Sequence, residues 1–520
     1  MDTKTAWVRW PGRSTGVLGS VVLLSFIFAI AGPVLSAESK SPFAEGSVVK
    51  VFATIRYPDL FKPWTKQAPQ EIVGSGVVIE GKRILSNAHL ALYASQVQVQ
   101  ANESGDKFSA KVEALAPGID LAVLKLDDET FFNTHPPLPR ANTLPAIKDS
   151  VLAYGYPEGG TSLSITRGIV SRIEFTVYNF PVWGLIIQID AAVNPGNSGG
   201  PVMAGDKMIG LAFRVLSNSE NVAYVIPTEE IELFLRDMAD GHYEGKPAMF
   251  DHTQTLENPA LRAYLKLDKT IAGTVVHQPH RSDPAYPLKE WDLITKIGGT
   301  PVDNQGRVTL GNNLRVHFKY LVQKVTKNGK LPLSVVRGGK ELQIELPVSS
   351  TKPMAMPLYD GTYPSYFVYG PMVFTTAYRE LMAGLAADTY GASWMLRLAA
   401  AGSPLSTRFG DEQAVPGENL VIVSSPFFPT KLVTGYDNPV AQVVKTVNGH
   451  QVKNLAALIE ILRDCRDEFI AIEFDLRGAE TLVFSRTELL AATDEILTDN
   501  GLRSQGSADM LAIWDAKTVK

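Results

Sequence analysis

The stretch NPGNSGGP, Asn194 to Pro201, decides how this chain is read. It is a knot of small residues between strand-like runs: SITRGIVSRIEF and LIIQIDAAV precede it, KMIGLAFRVL and NVAYVIP follow it. One reading is a glycine-rich β-turn with an incidental serine. The other makes Ser198 a nucleophile, with Gly196 and Gly199-Gly200 letting the backbone turn tightly and leaving the amides of Gly196 and Ser198 free to point at one spot. A serine hydroxyl attacks only when an imidazole takes its proton and a carboxylate fixes that imidazole. Backbone N–H groups must also face the developing oxyanion. The rest of the chain therefore has to supply a histidine and an acid.

Both are present, in the order His89, Asp120, Ser198. His89 lies in RILSNAHLAL, at the end of a strand whose partner is GSGVVIE. Asp120 lies in PGIDLAVLKL, directly before an apolar strand, where a carboxylate is costly to bury without a partner. Asp127 and Asp128, at the polar end of that strand, read as solvated. From Ser47 to Pro227 short apolar or alternating runs are separated by glycine and polar turns, which predicts an all-β barrel or sandwich pair. TEEIELFLRDMADG, after Pro227, reads as a closing helix.

SNAH, IDLAVLK and NPGNSGGP on consecutive β segments resemble the chymotrypsin-like fold, and specifically the HtrA/Deg serine proteases. GSGVVI, AYGYPEGG, ITRGIVS and VAYVIP strengthen the resemblance. It implies that His89 is the general base, Asp120 its orienting acid and Ser198 the nucleophile, with the backbone of Gly196, Asn197 and Ser198 as oxyanion hole. It also implies a pocket lined by Val193 and by Phe213, Arg214 and Val215, suited to small or medium aliphatic side chains. Phe213 is bulkier than the small residue often found there, and Arg214 is unusual. Asn197 stands where digestive relatives carry an aspartate that pairs with a freshly cut N-terminus, so no zymogen cut is implied. Regulation in the resembled family is an order-to-disorder switch in loops that here are Glu174 to Gly184, Ala192 to Gly196 and Leu216 to Asn221. Tyr178, Phe180 and Trp183 make the first of these apolar, for contact with a neighbouring domain or subunit or for ordinary packing.

The C-terminal half repeats itself. ITKIGGTPVDN at 294–304 can be laid over VKTVNGHQVKN at 444–454. Each copy continues with a helical pattern, FKYLVQKV or LAALIEIL, and a strand pair around a tight turn, VVRGGKELQIEL or FDLRGAETLVF. The first copy carries an extra stretch, VTLGNNLRVH. Both resemble PDZ domains, which bind peptides by adding a strand to a sheet edge. The resemblance puts the peptide-binding loop of the first at Tyr264, Leu265, Lys266 and Leu267, with Lys266 replacing a usual glycine. SYFVYGPMVF and GENLVIVSS make the second resemble a degenerate PDZ.

The 520 residues are 45% hydrophobic and 20% charged, an ordinary globular balance. A net charge of −5 without a basic run argues against a nucleic-acid partner. The single cysteine, Cys465, excludes an intramolecular disulfide framework. HQPH, with His277 and His280, has no further clustered ligands, so no metal is expected, and the absence of phosphate-binding fingerprints removes nucleotide cofactors. Lys4, Arg9 and Arg13 precede an apolar run from Val17 to Val34, which reads as a secretory signal or as an uncleaved membrane anchor.

The expected architecture is mainly β and multidomain: signal peptide or anchor over 1–37, a chymotrypsin-like double β-barrel over 38–243, PDZ-like α+β modules over 245–350 and 351–500, and a tail over 501–520. The resemblance implies a periplasmic or secreted, ATP-independent endopeptidase for unfolded or damaged exported proteins. Its partners would be polypeptide substrates, C-terminal peptides at the first PDZ, and copies of itself in assemblies built from trimers. The competing expectation is a catalytically silent scaffold or holdase that keeps the protease fold.

Overall fold

A computed structural model describes residues 42–178, 182–215, 222–311, 314–387 and 391–516. The segment 1–37, Phe180, the loop Leu216 to Asn221 and the side chains of Arg214 and Val215 lie outside the described residues.

After one turn, α1 (Pro42–Glu45), six strands close a first barrel: β1 (Val48–Ile55), β2 (Gln70–Ile79), β3 (Arg83–Ser86), β4 (Ala94–Ala101), β5 (Lys107–Ala116) and β6 (Leu121–Leu126), in the order β1-β2-β3-β6-β5-β4. Six more close a second: β7 (Ser150–Gly155), β8 (Ser164–Val177), β9 (Trp183–Ile189), β10 (Pro201–Ala204), β11 (Lys207–Val215) and β12 (Ala223–Pro227), in the order β10-β11-β12-β9-β8-β7. The two-residue period of a strand explains the packing. Val49, Val51, Ala53 and Ile55 of β1 enter the first barrel core with Val78, Ile84 and Leu124. Val48, Val77 and Leu85 instead join Tyr154, Ile186, Leu211 and Ile226 of the second barrel, so the two barrels share a seam. Helix α2 (Thr228–Asp237) buries Ile231 and Phe234 at that seam.

The first module downstream is a sheet ordered β13-β14-β15-β19-β20, made of β13 (His252–Thr255), β14 (Thr274–Gln278), β15 (Leu293–Ile297), β19 (Lys330–Arg337) and β20 (Lys340–Pro347), with β16 (Thr300–Pro301) paired to β15. Helix α3 (Pro259–Tyr264) follows β13, and the pattern FKYLVQKV forms a 3-10 turn at Phe318–Leu321 running into α4 (Val322–Val325). The extra stretch is a hairpin, β17 (Arg307–Thr309) with β18 (Arg315–His317).

The second module has two sheets: β21 (Tyr366–Tyr369), β22 (Met372–Thr376) and β23 (Val421–Val423); then β24 (Val444–Val447), β25 (His450–Gln451), β26 (Phe469–Phe474) and β27 (Leu482–Ser485). Three helices, α5 (Arg379–Ala387), α6 (Gly391–Ala400) and α7 (Pro404–Thr407), are inserted between β22 and β23. Helix α8 (Leu455–Asp464) buries Leu455, Leu458, Ile459 and Leu462, the helical spacing seen in the sequence. Helices α9 (Arg486–Asp499) and α10 (Ala508–Trp514) complete the module.

The expected tail is not separate. Gln505 O accepts from Val368 N–H at 2.7 Å, Ser507 N–H donates to Tyr366 O at 3.0 Å, and Trp514 packs on Phe367 with ring centroids 5.1 Å apart. These bonds cover the edge of β21, whose backbone groups would otherwise be unpaired.

Candidate active site

Strands β3 and β6 are barrel neighbours, with Ser86 opposite Ala122, so the chain leaving β3 and the chain entering β6 emerge side by side. The first forms a 3-10 turn, Ala88–Leu90, that carries His89. The second ends in Asp120 at φ 57°, a left-handed conformation that aspartate tolerates better than most residues. His89 Nδ1 lies 2.8 Å from Asp120 Oδ2, and the His89 backbone N–H donates to Asp120 Oδ1 at 2.9 Å. Asn87 Nδ2 donates to Asp120 O at 2.9 Å. Asp120 is buried while the His89 side chain is 44% exposed.

Ser198 sits in the turn between β9 and β10. Gly199, at φ 85°, admits no side chain, since a Cβ would lie 2.0 Å from Ser75 O. The turn is held from the first barrel: Ser75 N–H donates to Ser198 O and Ser75 Oγ donates to Gly196 O, both at 2.8 Å. Ser75 Oγ also accepts from Tyr156 N–H at 2.8 Å, and Ser86 Oγ donates to Ser75 O at 2.7 Å. Sequence reasoning missed Ser75. It is a fully buried serine in the otherwise apolar run GSGVVI, and only the structure shows that burial.

Pro195 O accepts from Glu158 N–H at 2.8 Å. Because a trans peptide points its N–H opposite its carbonyl, this contact turns the Gly196 N–H away from Glu158. Among the described residues the N–H groups of Gly196 and Ser198 make no hydrogen bond. Asn197 differs from the expectation: its N–H donates to Asn194 O at 3.0 Å and closes the turn, so it is not available to an oxyanion. Its side chain is buried, with Oδ1 unpartnered among the described residues, and Gly155 makes the room for it. No hydrogen bond joins Ser198 Oγ to His89 among the described residues. Such contacts commonly tighten only once substrate is bound.

Val193 and Phe213 are both buried. Phe213 occupies a bulge where the pairing of β11 with β12 shifts, and it stacks on Tyr178 with centroids 5.2 Å apart. The loop expected over Glu174 to Gly184 is mostly strand: Val177 pairs with Trp183, and Tyr178 N–H donates to Val182 O at 2.9 Å. Tyr178 packs inward, whereas Trp183 is half exposed and stacks on Phe175. The fully buried Glu230 of α2 accepts from Leu185 N–H at 2.8 Å and from Lys246 Nζ at 2.7 Å. Gln323 of α4 reaches the same carboxylate at 3.3 Å, and Tyr320 donates to Glu229 at 2.7 Å, so the first module is tied to α2.

Tyr264, Leu265, Lys266 and Leu267 do not form a loop at a sheet edge. They end helix α3, with Lys266 at φ 53° and Tyr264 exposed against Trp291 at 5.5 Å. The edges of that sheet are β13, which pairs only with β14, and β20.

The chain matches the description "Trypsin-like peptidase domain" over residues 74–211 and "PDZ domain" over residues 356–509. Protease Do-like 4, mitochondrial, of Arabidopsis thaliana is 33% identical over 475 residues, covering 91% of this chain and 87% of that protein. The chain belongs to the Do-like, or HtrA/Deg, family of serine proteases. Protease Do-like 2, chloroplastic, of Arabidopsis thaliana is 33% identical over 470 residues, covering 89% of this chain and 75% of that protein. Among solved structures, the HtrA-type protease AlgW with a decapeptide is 25% identical, with a TM-score of 0.45 over 60% of this chain and 97% of that one. As a Do-like protease the chain is a serine endopeptidase. Among its described residues no helix is long and apolar enough to cross a membrane.

Proposed function

We propose that this Do-like protease is an exported, ATP-independent endopeptidase that cleaves unfolded polypeptides in protein quality control. Ser198 Oγ attacks the scissile carbonyl, His89 Nε2 takes its proton and returns it to the leaving amine, and water then hydrolyses the acyl-enzyme. Asp120 holds the His89 tautomer and stabilises the imidazolium. The N–H groups of Gly196 and Ser198 receive the oxyanion. Val193 and Phe213 restrict the pocket to small aliphatic side chains. Peptide addition belongs to the β13 edge, and copies of the chain assemble as homo-oligomers. The observation that carries this reading is the two-point bond of Asp120 to His89, through Nδ1 at 2.8 Å and the backbone N–H at 2.9 Å. The N-terminal basic and apolar segment supports export.

The test is digestion of an unfolded, disulfide-free protein by the enzyme and by Ser198→Ala, with a fluorophosphonate probe in parallel. Cleavage and labelling by the wild type alone are expected. A wild type that does neither, across temperature and with added C-terminal peptides, would make the chain a silent scaffold.

A further inference from the structure

We propose that the loop Tyr359 to Tyr363 of the second PDZ-like module is a positioning element for the His89–Asp120 pair, an inference that rests on reading that pair as base and orienting acid. One glycine of this loop lies beside the residues that follow His89 and precede Asp120 in the chain. A Cβ at Gly361 would lie 3.0 Å from Leu92 Cδ1 and 4.0 Å from Leu115 Cδ1. Leu92 closes the turn that carries His89, its N–H donating to Ala88 O at 2.7 Å. Leu115 is the penultimate residue of β5, paired opposite Ala122, two residues beyond Asp120.

The next residue along makes the dependence sharper. Tyr93 is held at φ 60°, a left-handed conformation that is strained for a non-glycine residue and persists only where its surroundings enforce it. Those surroundings are Tyr57 at 5.7 Å and, from the second module, Tyr363 at 5.5 Å. Tyr363 Oη donates to Arg56 O at 2.9 Å, and Arg56 N–H donates to Tyr93 O at 3.1 Å. Lys66 Nζ covers the Tyr363 ring at 3.9 Å. The loop is itself stiff: Tyr359 N–H donates to Glu380 at 2.9 Å, Thr362 N–H to Tyr359 O at 2.8 Å, and Tyr359 stacks on Tyr378 at 3.9 Å. Asp120 thus fixes one side of the His89 turn, and the second module braces the residues that leave it. Small misplacement of a catalytic group costs rate rather than binding.

The experiment uses the full chain and changes only the second module: Tyr363→Ala, Tyr363→Phe and Gly361→Ala. It reads the rate of fluorophosphonate labelling of Ser198, kcat and KM on a short fluorogenic peptide, and Tm. Tyr363→Ala and Gly361→Ala should label and turn over about tenfold more slowly at unchanged KM. Tyr363→Phe keeps the ring and should restore most of the rate. Wild-type rates in the folded Ala variants overturn the positioning role. Equal slowing in all three with a raised KM indicates general loosening and also overturns it. If Tyr363→Ala does not fold, Gly361→Ala against Tyr363→Phe decides by the same criteria. A wild type that neither labels nor cleaves overturns the base–acid reading itself, a result distinguishable from the others by the parent enzyme alone.

Discussion

Ser75 shows how much a single hydroxyl can organise. Fully buried, it accepts from Tyr156 N–H and donates to Gly196 O, while the backbone N–H of the same residue holds Ser198 O, so Ser75 ties the Ser198 turn to the first barrel. Ser75→Ala leaves the Tyr156 N–H without an acceptor and frees the Gly196 carbonyl. Unfolding in urea should then show a loss of about 1–3 kcal/mol. With the Gly196 peptide no longer anchored, kcat should fall by about tenfold or more while KM changes little. His89, Asp120 and Ser198, the proposed triad, were legible in the sequence because each stands in a short motif with its own chemistry. Ser75 was not, because a serine in a strand carries no local signature of what it will meet across the seam.

At the scale of one element, the turn from β18 into the 3-10 segment Phe318–Leu321 depends on an uncharged histidine. His317 caps that segment, its Nδ1 accepting from Lys319 N–H at 3.3 Å. Burial, with Lys319 and Arg307 adding to it, lowers its pKa from 6.5 to about 4. Between those values the unfolded chain holds a proton that the folded chain does not, so stability is full above the unfolded value and is lost as pH falls through the window. The loss amounts to at most about 3 kcal/mol. Unfolding followed from pH 7 to pH 4 should show it, and His317→Asn, which keeps an acceptor and removes the titration, should flatten it. The helical pattern here was readable, but its length was not: the sequence predicts a helix, and the structure has a 3-10 turn with four α-helical residues. Short segments obtain their geometry from packing rather than from their own propensity.

For the whole molecule, the buried carboxylate of Glu230 joins three parts: the strand end at Leu185, Lys246 of the connecting segment, and Gln323 of the first PDZ-like module. Glu230→Ala leaves the Lys246 ammonium, itself largely buried, without its counter-charge. Such a removal costs about 3–5 kcal/mol, and denaturation monitored at Trp183, which packs beside this junction, should register it. Glu230→Gln, which retains an acceptor for Leu185 N–H, should lose less.

Periodicity and motif were enough to read the barrels, the order His89, Asp120, Ser198, and the duplicated turn-and-helix pattern, since these depend on spacing within a few residues. The loop assigned to Tyr264 through Leu267 and the separate tail were misplaced for the same reason in reverse: which strand lies at a sheet edge, and what covers it, is a property of pairing across long separations. Asn197 belongs to both cases, its identity readable but the commitment of its N–H to Asn194 O visible only in the closed turn. What the sequence by itself determined is the class of fold and the serine-protease family. What only the tertiary structure decided is which distant groups meet, Ser75 with the Ser198 turn across the seam and Tyr363 with Arg56 and Tyr93 from a module far along the chain, because contacts between distant segments leave no periodic trace in either one.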